Sequence, residues 1–169
     1  SYGGQMDISQ VELLAGGATL EVTLTMDEVR SDWLAPNGFD HLALNVFFNV
    51  PGRTGLSVLP QLKANTPPGF EWNYAHKLYG WDNSVSGQTG ASHFQSGDIL
   101  PWSPKVTVST NLNTISITYN ASQFGLSDWN GVELYISTWD VSGEGDYRSI
   151  TSEASRWQFS RPGGDGPYI

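Results

Sequence analysis

The sequence predicts an all-β fold, a two-sheet antiparallel β-sandwich of the jelly-roll type. Three observations predict it. Short β-branched runs alternate apolar with polar residues, clusters of Gly, Asn, Pro and Ser separate those runs, and no stretch sustains a helical period.

At 169 residues the chain buries roughly 70% of its unfolded surface in one domain, enough for a core without covalent staples. Residues 6–169 are read as that single module. Ser1-Tyr2-Gly3-Gly4-Gln5 is read as a linker or remnant, because its small polar residues bring nothing to pack.

The elements follow in order. Val11–Leu14 and Thr19–Met26 flank Ala15-Gly16-Gly17, whose glycines supply the positive φ of a tight hairpin. In the second arm Leu20, Val22, Leu24 and Met26 share the buried face, and Thr19, Glu21, Thr23 and Thr25 the wet one. His41–Val50 repeats the arrangement with Leu42, Leu44, Val46, Phe48 and Val50 inward and His41, Ala43, Asn45, Phe47 and Asn49 opposite, and it stops at Pro51-Gly52. Asn83 to Ser103 is rich in Ser, Gly and Thr and reads as a long loop with at most short strands. Lys105–Thr110 and Thr114–Tyr119 form a hairpin across Asn111-Leu112-Asn113, and Val132–Trp139 and Arg156–Phe159 complete the set. The tail from Arg161 to Pro167, with its prolines and glycines, reads as a domain end.

Composition removes several functions. Eight basic against seventeen acidic residues give a net charge of −9, which repels a phosphate backbone, so nucleic acid is excluded as a partner. Cysteine is absent, so there is no disulfide framework, zinc-thiolate site or thiol nucleophile. No run reaches the roughly eighteen apolar residues of a spanning helix, and membrane insertion is not expected.

The aromatic residues carry the functional signal. Seven Trp equal seven Tyr and seven Phe, and an indole offers a flat apolar face with one polar handle, suited to the C–H face of a pyranose ring. The densest group lies between Phe70 and Trp81. There Trp72, Tyr74 and His76 alternate onto one side, interleaved with Asn73 and followed by Gly80-Trp81-Asp82 at a bend. The candidate site is therefore Trp72, Trp81 and Trp102 for stacking, with Asn73, Tyr74, His76 and Asp82 for hydrogen bonds. Trp139 fits either a solvent-facing platform or the core, while Trp33, Trp129 and Trp157 are assigned to packing.

A family resemblance emerges from these residues. Met6-Asp7-Ile8 before a hairpin, Gly38-Phe39 before a strand ending in Phe47-Phe48-Asn49, Glu71-Trp72-Asn73-Tyr74-Ala75 with Gly80-Trp81, and Ser137-Thr138-Trp139-Asp140 followed by Tyr147-Arg148 span nearly the whole chain. Together they resemble the C-terminal glucodextranase-type module of the DOMON-like β-sandwiches, a group that includes the family 9 carbohydrate-binding modules. The resemblance implies a module appended to a secreted or surface-anchored enzyme acting on α-glucan, with no catalytic residues of its own. The acidic, glycine-rich start associated with such modules is missing here.

The remaining chemistry is thin. Asp140-Val141-Ser142-Gly143-Glu144-Gly145-Asp146 is a candidate structural calcium loop without the helix-flanked pattern, set against a solvated turn, and no cofactor is required. Glu71, Asp98, Asp128, Glu133 and Asp140 are candidates for a glycosidase pair, but surface acids are common in so acidic a chain. His41, His76 and His93 show no close metal spacing; the DOMON-like resemblance implies a haem b held by Met26 or a histidine as an alternative, but Met26 falls on the core face of its strand. Asn120-Ala121-Ser122 matches a glycosylation sequon, a short motif that decides nothing. The reading is a secreted or cell-surface, non-catalytic module that binds polysaccharide or oligosaccharide beside a catalytic domain of the same parent chain. Its alternatives are an accessory domain that only packs on that neighbour, and a small glycan-active enzyme.

Overall fold

Alternation decides the first hairpin, because successive strand residues point to opposite sides and only one side of this sheet meets the core. Leu20, Val22, Leu24 and Met26 are buried, whereas Thr19 and Glu21 face solvent. The computed structural model describes residues 5–59, 64–87, 98–141, 145, 147, 149–151 and 158–160.

In chain order the strands are β1 (Ile8–Gly16), β2 (Thr19–Met26), β3 (Ala43–Asn49), β4 (Val58–Leu59), β5 (Ala64–Asn65) and β6 (Tyr74–Tyr79). They continue with β7 (Asp82–Gly87), β8 (Asp98–Ile99), β9 (Lys105–Ser109), β10 (Thr114–Asn120), β11 (Glu133–Trp139), β12 (Ser149–Thr151) and β13 (Gln158–Ser160). Two main antiparallel sheets, ordered β1-β2-β10-β9 and β11-β3-β6-β7-β8, pack as a sandwich, and β4-β5 and β12-β13 form separate pairs, the second parallel. The expected fold class holds. Among the described residues no helix is long and apolar enough to cross a membrane.

The register places Ile136, Val46, His76 and Val85 side by side across the second sheet. Their face meets the first sheet, where Val22, Leu24, Ile115, Ile117 and Tyr119 complete the main core. The hairpin turn uses Gly17 at φ 59, the left-handed conformation that a side chain would strain.

The opposite face of the second sheet is not wet. Asn45 and Phe47, expected on the side away from the core, are completely buried. A second cluster of Phe47, Leu59, Trp72, Ala75 and Trp139 covers that side, built from the chain between β3 and β6 and from the end of β11. Trp139 thus joins a core and not a platform. Trp129 is also packed, donating its indole N–H to the Ala18 carbonyl at 3.0 Å.

Three other expectations need adjusting. The segment read as a long loop opens with the six-residue strand β7, paired along its length with β6, because Val85 turns inward to the main core. Gln5, assigned to the linker, is completely buried. His41 stands outside β3, since its φ of 69 bends the chain before the strand begins. Trp157, Arg156, His93, residues 161–169 and most of the candidate calcium turn lie outside the described residues.

Candidate functional site

Two turns meet at the end of the second sheet where β6 runs into β7. Tyr79 pairs with Asp82, so Gly80 and Trp81 form a two-residue hairpin turn and the indole projects from its tip. Against it lies the loop joining β2 to β3, held by Asn37. The Asn37 backbone N–H donates to the Gly80 carbonyl at 3.0 Å, and its side-chain amide donates to the carbonyls of Tyr79 (2.7 Å) and Asp82 (3.0 Å). Three bonds from one residue lock the loop to the hairpin.

That junction brings Trp33 beside Trp81, with ring centroids 6.1 Å apart and an interplanar angle of 36°. Trp33 is 53% exposed and Trp81 44%, so two neighbouring indoles remain open to solvent. Leu34, 85% exposed, adjoins Trp33 in sequence. Behind the ledge, His41 packs on Trp33 with centroids 4.1 Å apart, and Tyr79 lies 6.4 Å from Trp81. The rim is polar. Asp82 accepts from the Ser84 hydroxyl at 3.0 Å, and Asp32 is half exposed.

Gly80 is what lets the two turns close. A Cβ there would stand 2.7 Å from both the Ala35 Cβ and the Phe39 carbonyl oxygen, and neither belongs to a side chain that can swing away. We therefore expect Gly80→Ala to cost about 1–3 kcal/mol by overpacking, read as a lower thermal midpoint. An unchanged melt would contradict this close approach.

A family model described as the C-terminal binding module, SLH-like, of glucodextranase matches residues 2–166. The chain belongs to that family. No curated protein matches it significantly. Membership fits a non-catalytic binding or accessory role for this glucodextranase-type module, as the sequence motifs lead one to expect.

Of the seven site residues expected in the module, Trp81 and Asp82 lie at the ledge. The other five do not. Trp72 is completely buried in the outer cluster, its indole N–H donating to the Val58 carbonyl at 2.9 Å, because residue 72 precedes β6 and is bridged to Leu56. No ring face is left for a sugar. Asn73 is buried and clamps Val50, accepting from its N–H at 2.9 Å and donating to its carbonyl at 3.0 Å. Tyr74 packs edge-on to Phe124 in the main core, with centroids 5.2 Å apart. His76 is buried between Tyr119 and Asn83. Trp102 is partly buried, its ring 5.1 Å from that of Phe124.

Sequence alone assigns Trp33 to packing, and its half-exposed ring corrects this. It follows the polar stretch Arg30-Ser31-Asp32, where no two-residue period exists to bury an indole, and that mismatch is the available signal. One further grouping has no sequence motif. Among the described residues Asp32, Asp40 and His41 bring three ligand-type atoms within 4.8 Å of one another.

Proposed function

We propose that this module binds carbohydrate without catalysing its cleavage, with a sugar ring of an α-glucan laid across Trp33 and Trp81. The observation that carries the reading is the contact between two half-exposed indoles backed by an inflexible turn junction. Leaving two Trp rings open forgoes burial worth roughly 25 cal/mol per Å² of apolar surface, and a ligand with a flat C–H face recovers part of it. Because the Gly80 and Asn37 contacts already fix the backbone of the two turns that carry the rings, the ordering cost of binding is reduced. The acidic surface suits a neutral ligand better than a polyanion. The starch-like choice of glucan, the parent glycoside hydrolase and the secreted or surface location draw on the family's glucodextranase connection.

The test is a titration of the chain with soluble α-glucans and β-glucans, followed by Trp fluorescence and paired with an assay for new reducing ends. We expect an emission change with α-glucan and no new ends. Flat emission with every glycan, or new ends with any, would overturn the reading.

A specific observation favours a second role. Strand β1 lies at the edge of its sheet and leaves Val11 and Leu13 exposed on one face and Leu14 on the other, an apolar edge suited to packing on a catalytic domain of the parent chain. The two roles are compatible, since that edge and the ledge involve different sheets.

A further inference from the structure

Asp40 and His41 stand behind the ledge and Asp32 at its rim, and none of the three stacks on a sugar. His41 Nε2 lies 3.0 Å from Asp40 Oδ1 and 3.7 Å from Asp32 Oδ2. Donors about 2.1 Å from one small cation stand about 3.0–3.4 Å apart, so two of these atoms already have the spacing of shared ligands. Asp32 is half exposed, and its side chain can swing to close the remaining gap.

The second observation is a buried carboxylate oxygen, Asp40 Oδ1, that accepts no hydrogen bond among the described residues. The Asp40 side chain is completely buried, and its Oδ2 accepts from the Trp33 backbone N–H at 2.6 Å, while Oδ1 faces His41. His41 takes a φ of 69, a left-handed backbone that a non-glycine residue keeps only where its surroundings hold it. That bend sets the imidazole between Asp40 and the Trp33 ring. Arg30 engages Glu28 through Nε at 2.8 Å and places Nη1 3.9 Å from the Asp32 carboxylate. Two carboxylates thus converge on one imidazole nitrogen at a place partly removed from water, where a multivalent cation interacts strongly.

We infer that Asp32 Oδ2, Asp40 Oδ1 and His41 Nε2 form a binding site for a first-row divalent cation, zinc in preference to calcium. Two carboxylates and an imidazole suit zinc, which takes mixed nitrogen and oxygen ligands at low coordination number. Calcium takes six to eight oxygens. The Asp40 to Trp33 hydrogen bond orients the carboxylate, as partners behind metal ligands commonly do.

The consequence is mechanical. A cation there ties residue 32 to residues 40 and 41, the two sides between which Trp33 is held, and Trp33 packs directly on His41. It therefore sets one wall of the ledge. The site stands on its own geometry, and only its effect on glycan retention rests on the carbohydrate reading.

The test uses the full chain, stripped with EDTA, dialysed, and titrated separately with zinc, manganese and calcium chlorides by calorimetry and thermal melting. We expect one zinc per chain and a raised melting midpoint, with calcium weaker than zinc. Asp32→Asn, at an exposed position that does not threaten folding, and His41→Asn, which tolerates the left-handed backbone, should each weaken zinc by about tenfold or more, with circular dichroism confirming the fold. No heat and no midpoint shift with zinc or manganese would overturn the site. So would native-like zinc affinity in Asp32→Asn, or tighter binding of calcium. Zinc binding with no response to any glucan would leave this site standing and remove the carbohydrate reading.

Discussion

Replacing Trp72 with alanine is expected to lower the unfolding free energy by about 3–5 kcal/mol, the range for losing a fully buried aromatic side chain. Trp72 is the largest completely buried side chain among the described residues, and it is the centre of the outer cluster. Its ring packs on Phe47 at 5.8 Å, and its N–H satisfies the Val58 carbonyl. Truncation would leave a cavity beneath the Leu56–Trp72 bridge and remove the donor to the Val58 carbonyl. Urea unfolding measures the effect directly. A loss below about 1 kcal/mol would show that the outer cluster contributes little.

The second large effect is a pH dependence traced to His76. Asn83 donates its amide N–H to the Pro104 carbonyl at 2.9 Å, which turns its Oδ1 toward His76 Nε2 at 2.8 Å. Nε2 must then carry the imidazole proton, and Nδ1 accepts from the Tyr119 hydroxyl at 2.7 Å. A second proton on Nδ1 would have to displace the one that Tyr119 donates there. Burial lowers the His76 pKa to about 4, with the bond to Asn83 opposing the change. Burial likewise pushes the Tyr119 hydroxyl well above its ordinary range, which keeps it a donor.

In the unfolded chain His76 titrates at about 6.5, so between about pH 6.5 and 4 the unfolded state binds the extra proton and the folded state does not. Stability from this group is complete above pH 6.5 and falls as the pH drops toward 4. The loss approaches about 3 kcal/mol, because a tenfold difference in proton affinity between the two states is worth about 1.4 kcal/mol. Urea unfolding of the native chain and of His76→Gln at pH 7 and pH 4 tests it, since carboxylates contribute equally to both. The native chain should lose more stability over that interval by about this amount, and equal losses would contradict the buried neutral histidine.

The features legible in the sequence are those controlled by one-sided burial. β2 alternates cleanly because one side meets the core and the other meets water, so its residues declare their faces. β6 does not, because its residues from Tyr74 to Leu78 are all buried, on one side by the first sheet and on the other by the outer cluster with Trp72 and Trp139. Its polar residues are satisfied internally, as His76 shows, and so is Lys77, whose Nζ donates to the Gly145 carbonyl at 2.7 Å. No local pattern separates such a strand from a polar binding face. The expectation of an open face at Trp72 and His76 follows directly from that.

The ledge is half legible. Trp81 at a glycine turn is a sound expectation, but its partner is distant in sequence. Trp33 is brought to it by Asn37, whose hydrogen bonds reach the hairpin 42 to 45 residues later. The same loop assembles Asp32, Asp40 and His41, whose sequence spacing matches no metal motif. In both cases the site belongs to a turn junction, and junctions are set by tertiary contacts.

The most direct measurement is the migration of Trp33→Ala, Trp81→Ala and the native chain through gels containing soluble α-glucan, with thermal melts confirming that each variant is folded. We expect the native chain to be retarded and both variants to lose most of the retardation at nearly unchanged melting midpoints, since the rings removed are half exposed. Retardation of both variants equal to that of the native chain would contradict the assignment of glycan binding to the Trp33–Trp81 ledge.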